Sequence, residues 1–180
     1  LLLKRAGFDV SGVFMKFWQD PRRNRENACC SLESERRARI VARFLKIPFY
    51  IFDFKKEFKK EVVDYFLKET RLGLTPNPCV VCNQEIKFGL FLKRALEMGA
   101  DFIATGHYAR KRERKAQNAK RKTFSLLKAK DNEKDQSYFL YRLSQKQLSK
   151  VIFPLGDYTK KEVRKLAQKY RLPTAKAKES

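Results

Sequence analysis

Residues 75–88 read TPNPCVVCNQEIKF and place two prolines and two thiols directly before an amphipathic helix. Each proline fixes its own φ and pushes the preceding residue into an extended conformation, so residues 75–78 are predicted to form a stiff, non-helical approach. Apolar side chains then recur at helical spacing from residue 88 to residue 96, and Gly99 ends the pattern. The spacing therefore predicts that Cys82 lies at or near a helix N-terminus.

A thiol in that position is predicted to be reactive. The unpaired backbone N–H groups and the helix dipole favour a thiolate, and Lys87 and the basic surroundings act in the same direction, so we predict a lowered pKa and a nucleophilic sulfur for Cys82. Half of a zinc site, a thioredoxin-like redox pair and two structural cysteines stay open as alternatives. Cys29 and Cys30 are adjacent, which fits the paired spacing of a zinc site poorly, and the loop before Cys79 disfavours a redox motif, which follows a strand.

Composition indicates a globular, strongly basic protein. The 180 residues are 43% hydrophobic, enough for one folded domain and the beginning of another, and 42 Lys and Arg against 20 acidic residues give a formal charge of +22. This charge favours a polyanionic partner, with nucleic acid first, and the alternative is a solvated basic surface. No apolar run is long enough to span a membrane, residues 1–3 are too short for a signal peptide core, and four cysteines without a framework indicate the cytoplasm.

Strands and helices alternate along the first part of the chain. Strands are predicted over Phe8–Lys16, Phe49–Asp53 and Phe102–Thr105, and helices over residues 31–46, which Ser31 caps, and residues 55–69. We expect an α/β fold with a parallel sheet covered on both faces. Ligands bind at the carboxyl ends of such strands, which here are the segments around Met15, Asp53 and Gly106.

The second part of the chain contains shorter elements. Residues 111–122 are almost all charged or small and are predicted to form an exposed tip, from which a strand over residues 123–128 returns to pair near Tyr108. The aromatic segment 136–143 is expected to pack a loop onto the sheet. Helices are predicted over residues 144–151 and 159–170, the second with a capping box formed by Thr159 and Glu162.

Three blocks of the sequence together resemble the tRNA-specific 2-thiouridylases, the MnmA family. They are residues 75–88, residues 99–110 (GADFIATGHYAR) and residues 134–140 (KDQSYFL), which occur in the family's order and at roughly its spacing. Weaker similarity extends over the whole chain.

The resemblance implies a Rossmann-like parallel sheet of the adenine nucleotide alpha hydrolase (PP-loop ATP pyrophosphatase) type with a short helical extension. Residues 1–143 would form a partial PP-loop domain and residues 144–180 the helical extension. The family's phosphate loop and its second catalytic cysteine are absent from this sequence. We therefore expect the chain to be a fragment of a longer enzyme and to be unable to complete a turnover alone.

The implied activity is ATP-dependent 2-thiolation of a wobble uridine in tRNA, through an adenylated uridine and a cysteine persulfide. ATP with Mg²⁺ is the implied cofactor, no metal ligands are assigned within the chain, and the implied partners are tRNA and a sulfur-relay protein or cysteine desulfurase. The resemblance also assigns roles to matching positions. Cys82 matches the nucleophile, and Met15 and Gly106 match ATP contacts. The positions that match contacts to tRNA or to the target base are Asn77, Pro78, Cys79, His107, Lys134, Asp135 and Gln136. Many members carry Asp where this chain has Cys79, and a Cys79 to Cys82 disulfide is one candidate for an inactive state.

Two further classes of protein remain as alternatives. A non-catalytic basic RNA-binding module of the same fold would keep the charge without the chemistry. Another ATP pyrophosphatase, such as an amidotransferase-type synthetase, is disfavoured because that class has no need of a thiol loop.

Overall fold

The computed structural model describes residues 1–20, 31–114 and 122–177. The chain divides into two compact units, one formed by Leu1–Lys60 and Arg164–Ser180 and the other by Glu61–Val163. Most of the buried apolar side chains in the described ranges belong to the second unit. The division predicted between residues 143 and 144 stays a prediction.

The first unit is built on two parallel strands. Strand β1, Gly12–Lys16, pairs with β2, Phe49–Asp53, so that Met15 lies opposite Phe52 and Lys16 opposite Asp53. The carboxyl ends of these two strands therefore meet, as predicted from the sequence. Strand β1 is shorter than predicted, because the pairing with β2 begins only at Gly12.

Helices flank these strands in the same unit. They span Leu2–Arg5, Leu32–Leu45 and Lys55–Phe58. Ser31 caps the second helix as predicted, and its Oγ accepts a hydrogen bond from the backbone N–H of Ser34 (3.0 Å). The spacing of Ile40, Val41, Phe44 and Leu45 predicts an apolar stripe on that helix, and this prediction is wrong in part, since Ile40 and Phe44 are each 47% exposed while Ala42 is buried. Two strands are too narrow to cover the whole stripe, and an apolar groove of about 300 Å³ runs beside Ala42.

The second unit contains the segment with which the sequence analysis began. Its long helix, here named the cysteine helix, consists of three consecutive stretches: Pro78–Val81, the π-helical Cys82–Leu90 and Phe91–Glu97. A 3-10 turn at Ser137–Leu140, here named the aromatic turn, packs against the first two of these stretches. A short helix spans Gln145–Ser149.

Two pairs of strands complete the second unit. Strand β3, Ile103–Ala104, pairs in parallel with β6, Val151–Ile152, and β4, Ala109–Arg114, pairs antiparallel with β5, Thr123–Lys128. The returning strand β5 is therefore confirmed, while residues 115–121 of the predicted tip lie outside the described residues.

The remaining helical stretches are Lys59–Val63, Asp64–Arg71 and Lys160–Lys169. The capping box before the last of these is confirmed, because Thr159 Oγ1 accepts from the Glu162 backbone N–H (3.2 Å) and Glu162 Oε2 accepts from the Thr159 backbone N–H (2.7 Å). None of the helices in the described ranges is long and apolar enough to cross a membrane.

The strand order corrects one detail of the sequence prediction. An α/β fold with parallel strands is present, but β3 pairs with β6, and the sequence analysis had assigned Val151 to the end of a helix. A two-residue strand is too short to show alternation. The pairing is held instead by backbone hydrogen bonds from Ile103 to Lys150 (2.9 Å) and from Thr105 to Ile152 (3.3 Å).

Candidate functional site

The cysteine helix begins four residues earlier than the sequence pattern predicted. Asn77 is its N-cap, with Oδ1 accepting from the backbone N–H of Val80 (3.2 Å), and Pro78 is the first helical residue. Proline is tolerated there because its missing N–H would have no partner inside the helix and its fixed φ is already helical. The extended approach therefore ends at Asn77, and Cys79 rather than Cys82 lies in the first turn.

This shift corrects the expected exposure of the nucleophile. Cys82 lies in the second turn and is only 9% exposed, whereas Cys79 is exposed. The free N–H groups of the helix end are not at Cys82, so the position of the helix start does not support the lowered pKa predicted for it, which stays a prediction. Neither sulfur is in a disulfide, so the structure gives no support to the candidate Cys79 to Cys82 bond.

Asn83 connects the cysteine helix to the aromatic turn. It is 3% exposed, and its Nδ2 donates to the backbone carbonyl of Phe139 (3.0 Å), 56 residues away in the sequence. Its Oδ1 is buried and has no hydrogen-bond partner within the described part of the chain. A buried acceptor of this kind is normally satisfied by an ordered water or by a ligand donor.

Gln136 joins the third sequence block to the second. Its backbone N–H donates to the Tyr108 carbonyl (2.8 Å), and its Oε1 accepts from the Tyr108 N–H (3.0 Å). Asp135 holds the same loop, since Oδ1 accepts from the Ala129 N–H (2.7 Å) and Oδ2 from Ser137 Oγ (2.7 Å). Lys134 is exposed on that loop. Contact of these three residues with tRNA stays a prediction.

His107 belongs to the second block and packs against the first block at Phe88. Its ring lies 5.7 Å from that of Phe88 and 6.4 Å from that of Phe153, measured between centroids, and its Nδ1 is hydrogen-bonded to Thr105 Oγ1 (2.8 Å). Burial, and secondarily the nearby Lys87 charge, lowers the pKa of His107 to about 4. The imidazole is therefore neutral at physiological pH.

The two predicted ATP-contacting residues belong to different units. Met15 is in β1 of the first unit. Gly106 follows β3 in the second unit and is exposed, and a Cβ added there would come no closer than 3.9 Å to another side chain, Leu155. The backbone at Gly106 is therefore open to a ligand.

Comparison with known proteins gives the family of this chain. Residues 1–180 match the family described as tRNA methyl transferase HUP domain. The chain belongs to this family. The resemblance to the MnmA family noted from the sequence is thereby confirmed.

Individual relatives of this HUP domain are tRNA-specific 2-thiouridylases. One from a Thermoanaerobacter species is 49% identical over 99% of this chain and 49% of its own length. A relative from Nitrosomonas europaea is 49% identical over 100% of this chain and 48% of its own length. A relative from a Roseiflexus species is 47% identical over 99% of this chain and 52% of its own length. The HUP-domain chain thus spans about half the length of the curated relatives it matches.

Sequence reasoning missed one buried and one half-buried polar group of this HUP domain. Asn83 was unmarked, although an amide inside the apolar stripe of a helix could have signalled a buried hydrogen bond. Lys111 was assigned to an exposed tip, but its amine donates to the carbonyls of Leu148 (2.9 Å) and Val151 (2.8 Å) and lies 4.7 Å from the centre of the Phe124 ring. Burial lowers the pKa of Lys111, whose position in a charged run concealed this role.

No group of three or more His, Cys, Asp or Glu side chains that could hold a metal ion occurs within residues 1–20, 31–114 and 122–177.

Proposed function

We propose that this chain is part of an ATP-dependent tRNA sulfurtransferase that replaces the C2 oxygen of a wobble uridine with sulfur. The observation that carries the proposal is the joining of the three family-like blocks in one unit. Asn83 of the first block bonds to Phe139 of the third, Gln136 of the third bonds to Tyr108 of the second, and His107 packs on Phe88. Residues far apart in the sequence thus meet on the helix that carries the two thiols.

ATP, with Mg²⁺, would supply the adenylyl group that activates C2 of the uridine for attack by sulfur. Gly106 suits a nucleotide contact because its backbone is open. For Met15 an ATP contact is proposed from the resemblance alone. The phosphate loop of the family is not among these residues. Contacts to the phosphates would therefore come from elsewhere in the parent protein.

Cys82 is our candidate nucleophile. In this proposal its thiolate would attack the inner sulfur of the persulfide carried by a second cysteine of the parent protein, forming a disulfide with that cysteine and releasing the terminal sulfur as hydrosulfide. The hydrosulfide would add to the activated C2, and the C2 oxygen would leave with the adenylyl group as AMP. A sulfur that is 9% exposed must first become accessible, so the reaction requires the cover over Cys82 to open. A sulfur-relay protein or a cysteine desulfurase would load the persulfide, and we expect the reaction in the cytoplasm.

The remaining candidate residues would hold the tRNA. Asn77 and Pro78 begin the helix that carries both thiols, and Cys79 is exposed in its first turn. A neutral His107 avoids adding another cation beside Lys87. The formal charge of +22 provides the attraction for the phosphate backbone.

A non-catalytic RNA-binding module is the second candidate. The burial of Cys82 favours it, because a covered thiol reacts slowly with a persulfide. The excess of Lys and Arg would serve such a module equally well.

One pair of variants in the full-length parent separates the two candidates. Cys82→Ser should abolish 2-thiouridine formation while tRNA affinity is kept, and the matched control Cys79→Ser should retain thiolation because other members of the family carry Asp at that position. The product is measured by mass spectrometry of nucleosides from digested tRNA, and affinity by filter binding. Thiolation that survives in Cys82→Ser would refute the role of Cys82, and a wild-type parent that binds tRNA without thiolating it would establish the binding module.

A further inference from the structure

The aromatic turn and the residue that follows it present two tyrosines to solvent. Tyr138 is 66% exposed and Tyr141 is 65% exposed, and their ring centroids are 6.2 Å apart with planes tilted by 43°. The tilt means that the rings do not form a parallel slot, and each offers its own face. Two large exposed rings side by side usually mark a binding surface.

Neighbouring residues of the turn are buried or hydrogen-bonded and fix the backbone that carries the two rings. Leu140, between them in sequence, is 1% exposed, and the carbonyl of Phe139 accepts the hydrogen bond from buried Asn83. The Phe139 N–H donates to the Gln136 carbonyl (3.1 Å), and the Tyr138 ring meets that of Phe139 edge to face at 5.5 Å. The turn is thereby anchored to the core. Because it is already ordered, binding a ligand to the rings costs little conformational entropy of the protein.

The surrounding charge identifies the chemistry of the ligand. Between residues 134 and 150 the cations are Lys134, Arg142, Lys146 and Lys150, and the single acid is Asp135. Both oxygens of Asp135 accept hydrogen bonds from the loop itself. Aromatic faces among positive charges are the combination that binds single-stranded nucleic acid, with bases stacked on rings and phosphates near cations.

We propose that Tyr138 and Tyr141 form a stacking platform for unpaired bases of the bound RNA. The proposal rests on the proposed function, which makes RNA the substrate, and adds a base-binding surface to it. The aromatic turn packs on the stretches of the cysteine helix that contain Cys79 and Cys82. A loop of RNA stacked there lies beside the helix that carries the candidate nucleophile, which would help select an unpaired uridine over a paired one.

The test measures binding to the full-length parent and does not depend on thiolation. The probes are a fluorescently labelled RNA hairpin with a uridine-containing unpaired loop and a fully paired duplex with the sequence of its stem. Tyr138→Leu and Tyr141→Leu remove the aromatic face and keep apolar bulk, Tyr138→Phe and Tyr141→Phe keep the face, and Tyr50→Leu, at an exposed tyrosine of the first unit, is the control.

We expect each Leu variant to raise the Kd for the hairpin about 5- to 150-fold, the range given by one lost base–ring stack. The Kd for the duplex should stay within about twofold, and the Phe and Tyr50 variants should bind both probes like wild type. Unchanged hairpin binding in both Leu variants would refute the platform, as would an equal loss for hairpin and duplex.

Two further measurements test whether RNA contacts the rings directly and whether the rings bind protein instead. Photocrosslinking of wild-type protein to a hairpin with 5-bromouridine in its loop should label the peptide that contains Tyr138 and Tyr141, and labelling only elsewhere would overturn the proposal even if a variant fails to fold. A change in the native mass of the Leu variants without RNA would show that the rings bind protein instead. Loss of the Cys82 role in thiolation would leave these results unaffected, so the two proposals fail separately.

Discussion

Acidification should destabilise this chain through its single histidine, His107. The ordinary pKa of 6.5 applies to the unfolded chain, and burial beside Phe88 and Phe153, with Lys87 nearby, lowers the pKa in the folded protein to about 4. Between these two values the unfolded chain binds a proton that the folded protein does not. Above pH 6.5 the neutral His107 therefore does not lower the free energy of unfolding, and as the pH falls toward 4 this free energy decreases.

The size of the loss follows from the two pKa values. Their difference corresponds to about 3 kcal/mol when both states are fully protonated, and about 2.5 kcal/mol of it is already lost at pH 4.5. Carboxylates titrate in the same range, so the wild type alone does not isolate the histidine. His107→Gln removes the titration and keeps an amide that can hydrogen-bond to Thr105.

The assay is urea unfolding of wild type and His107→Gln at several pH values between 7.5 and 4.5. The free energy of unfolding of the variant should rise relative to that of wild type by about 2 to 3 kcal/mol across this range, whatever their difference at pH 7.5, because the carboxylate contributions cancel. In tag-free protein the imidazole also gives one NMR resonance to titrate. A resonance that titrates near pH 6.5, or a difference in stability that does not change with pH, would refute the reasoning.

Substitutions at three positions test other parts of the second unit. Asn77→Ala removes the cap of the cysteine helix and should lower the free energy of unfolding by about 1 kcal/mol. Asn77→Ser keeps a capping oxygen and should retain most of the stabilisation. Equal stability of the two variants would show that the cap contributes nothing. Gly156→Ala would place a Cβ 2.0 Å from the Ala109 carbonyl oxygen and should cost about 3 kcal/mol or more in the same urea assay, and a wild-type midpoint would contradict that packing. Gly106→Ala should change stability by less than about 0.5 kcal/mol and weaken ATP binding in calorimetry of the full-length parent, and unchanged affinity would remove Gly106 from the nucleotide site.

Features that depend on neighbouring residues were predictable from the sequence. Ser31 and the Thr159 and Glu162 pair cap their helices as expected, because a cap is formed within one turn of chain. The returning strand β5 follows from its own strand pattern, whereas residues 111–114, predicted as part of the exposed tip, belong to its partner β4. The three blocks that carry the family resemblance were recognisable for the same reason, since each is a continuous motif.

Features that depend on distant residues were not predictable in this way. Pro78 suits both an extended approach and the first position of a helix, and the local pattern does not choose between them. The partner of Asn83 arises when the aromatic turn packs on the cysteine helix, 56 residues away at the Asn83 to Phe139 bond, and the burial of Cys82 likewise depends on tertiary packing. The pairing of β3 with β6 has the same origin, because two residues contain no period to detect.

The unequal depth of the two neighbouring sulfurs affects how chemical modification would be interpreted. An alkylating reagent reaches the surface thiol of Cys79 before the covered thiol of Cys82, so inactivation by such a reagent would measure an adduct at the helix start. The reactivity of the inner sulfur can be followed in a variant in which Cys29, Cys30 and Cys79 are replaced by Ser. Its labelling rate there would report how often the protein opens enough to expose Cys82.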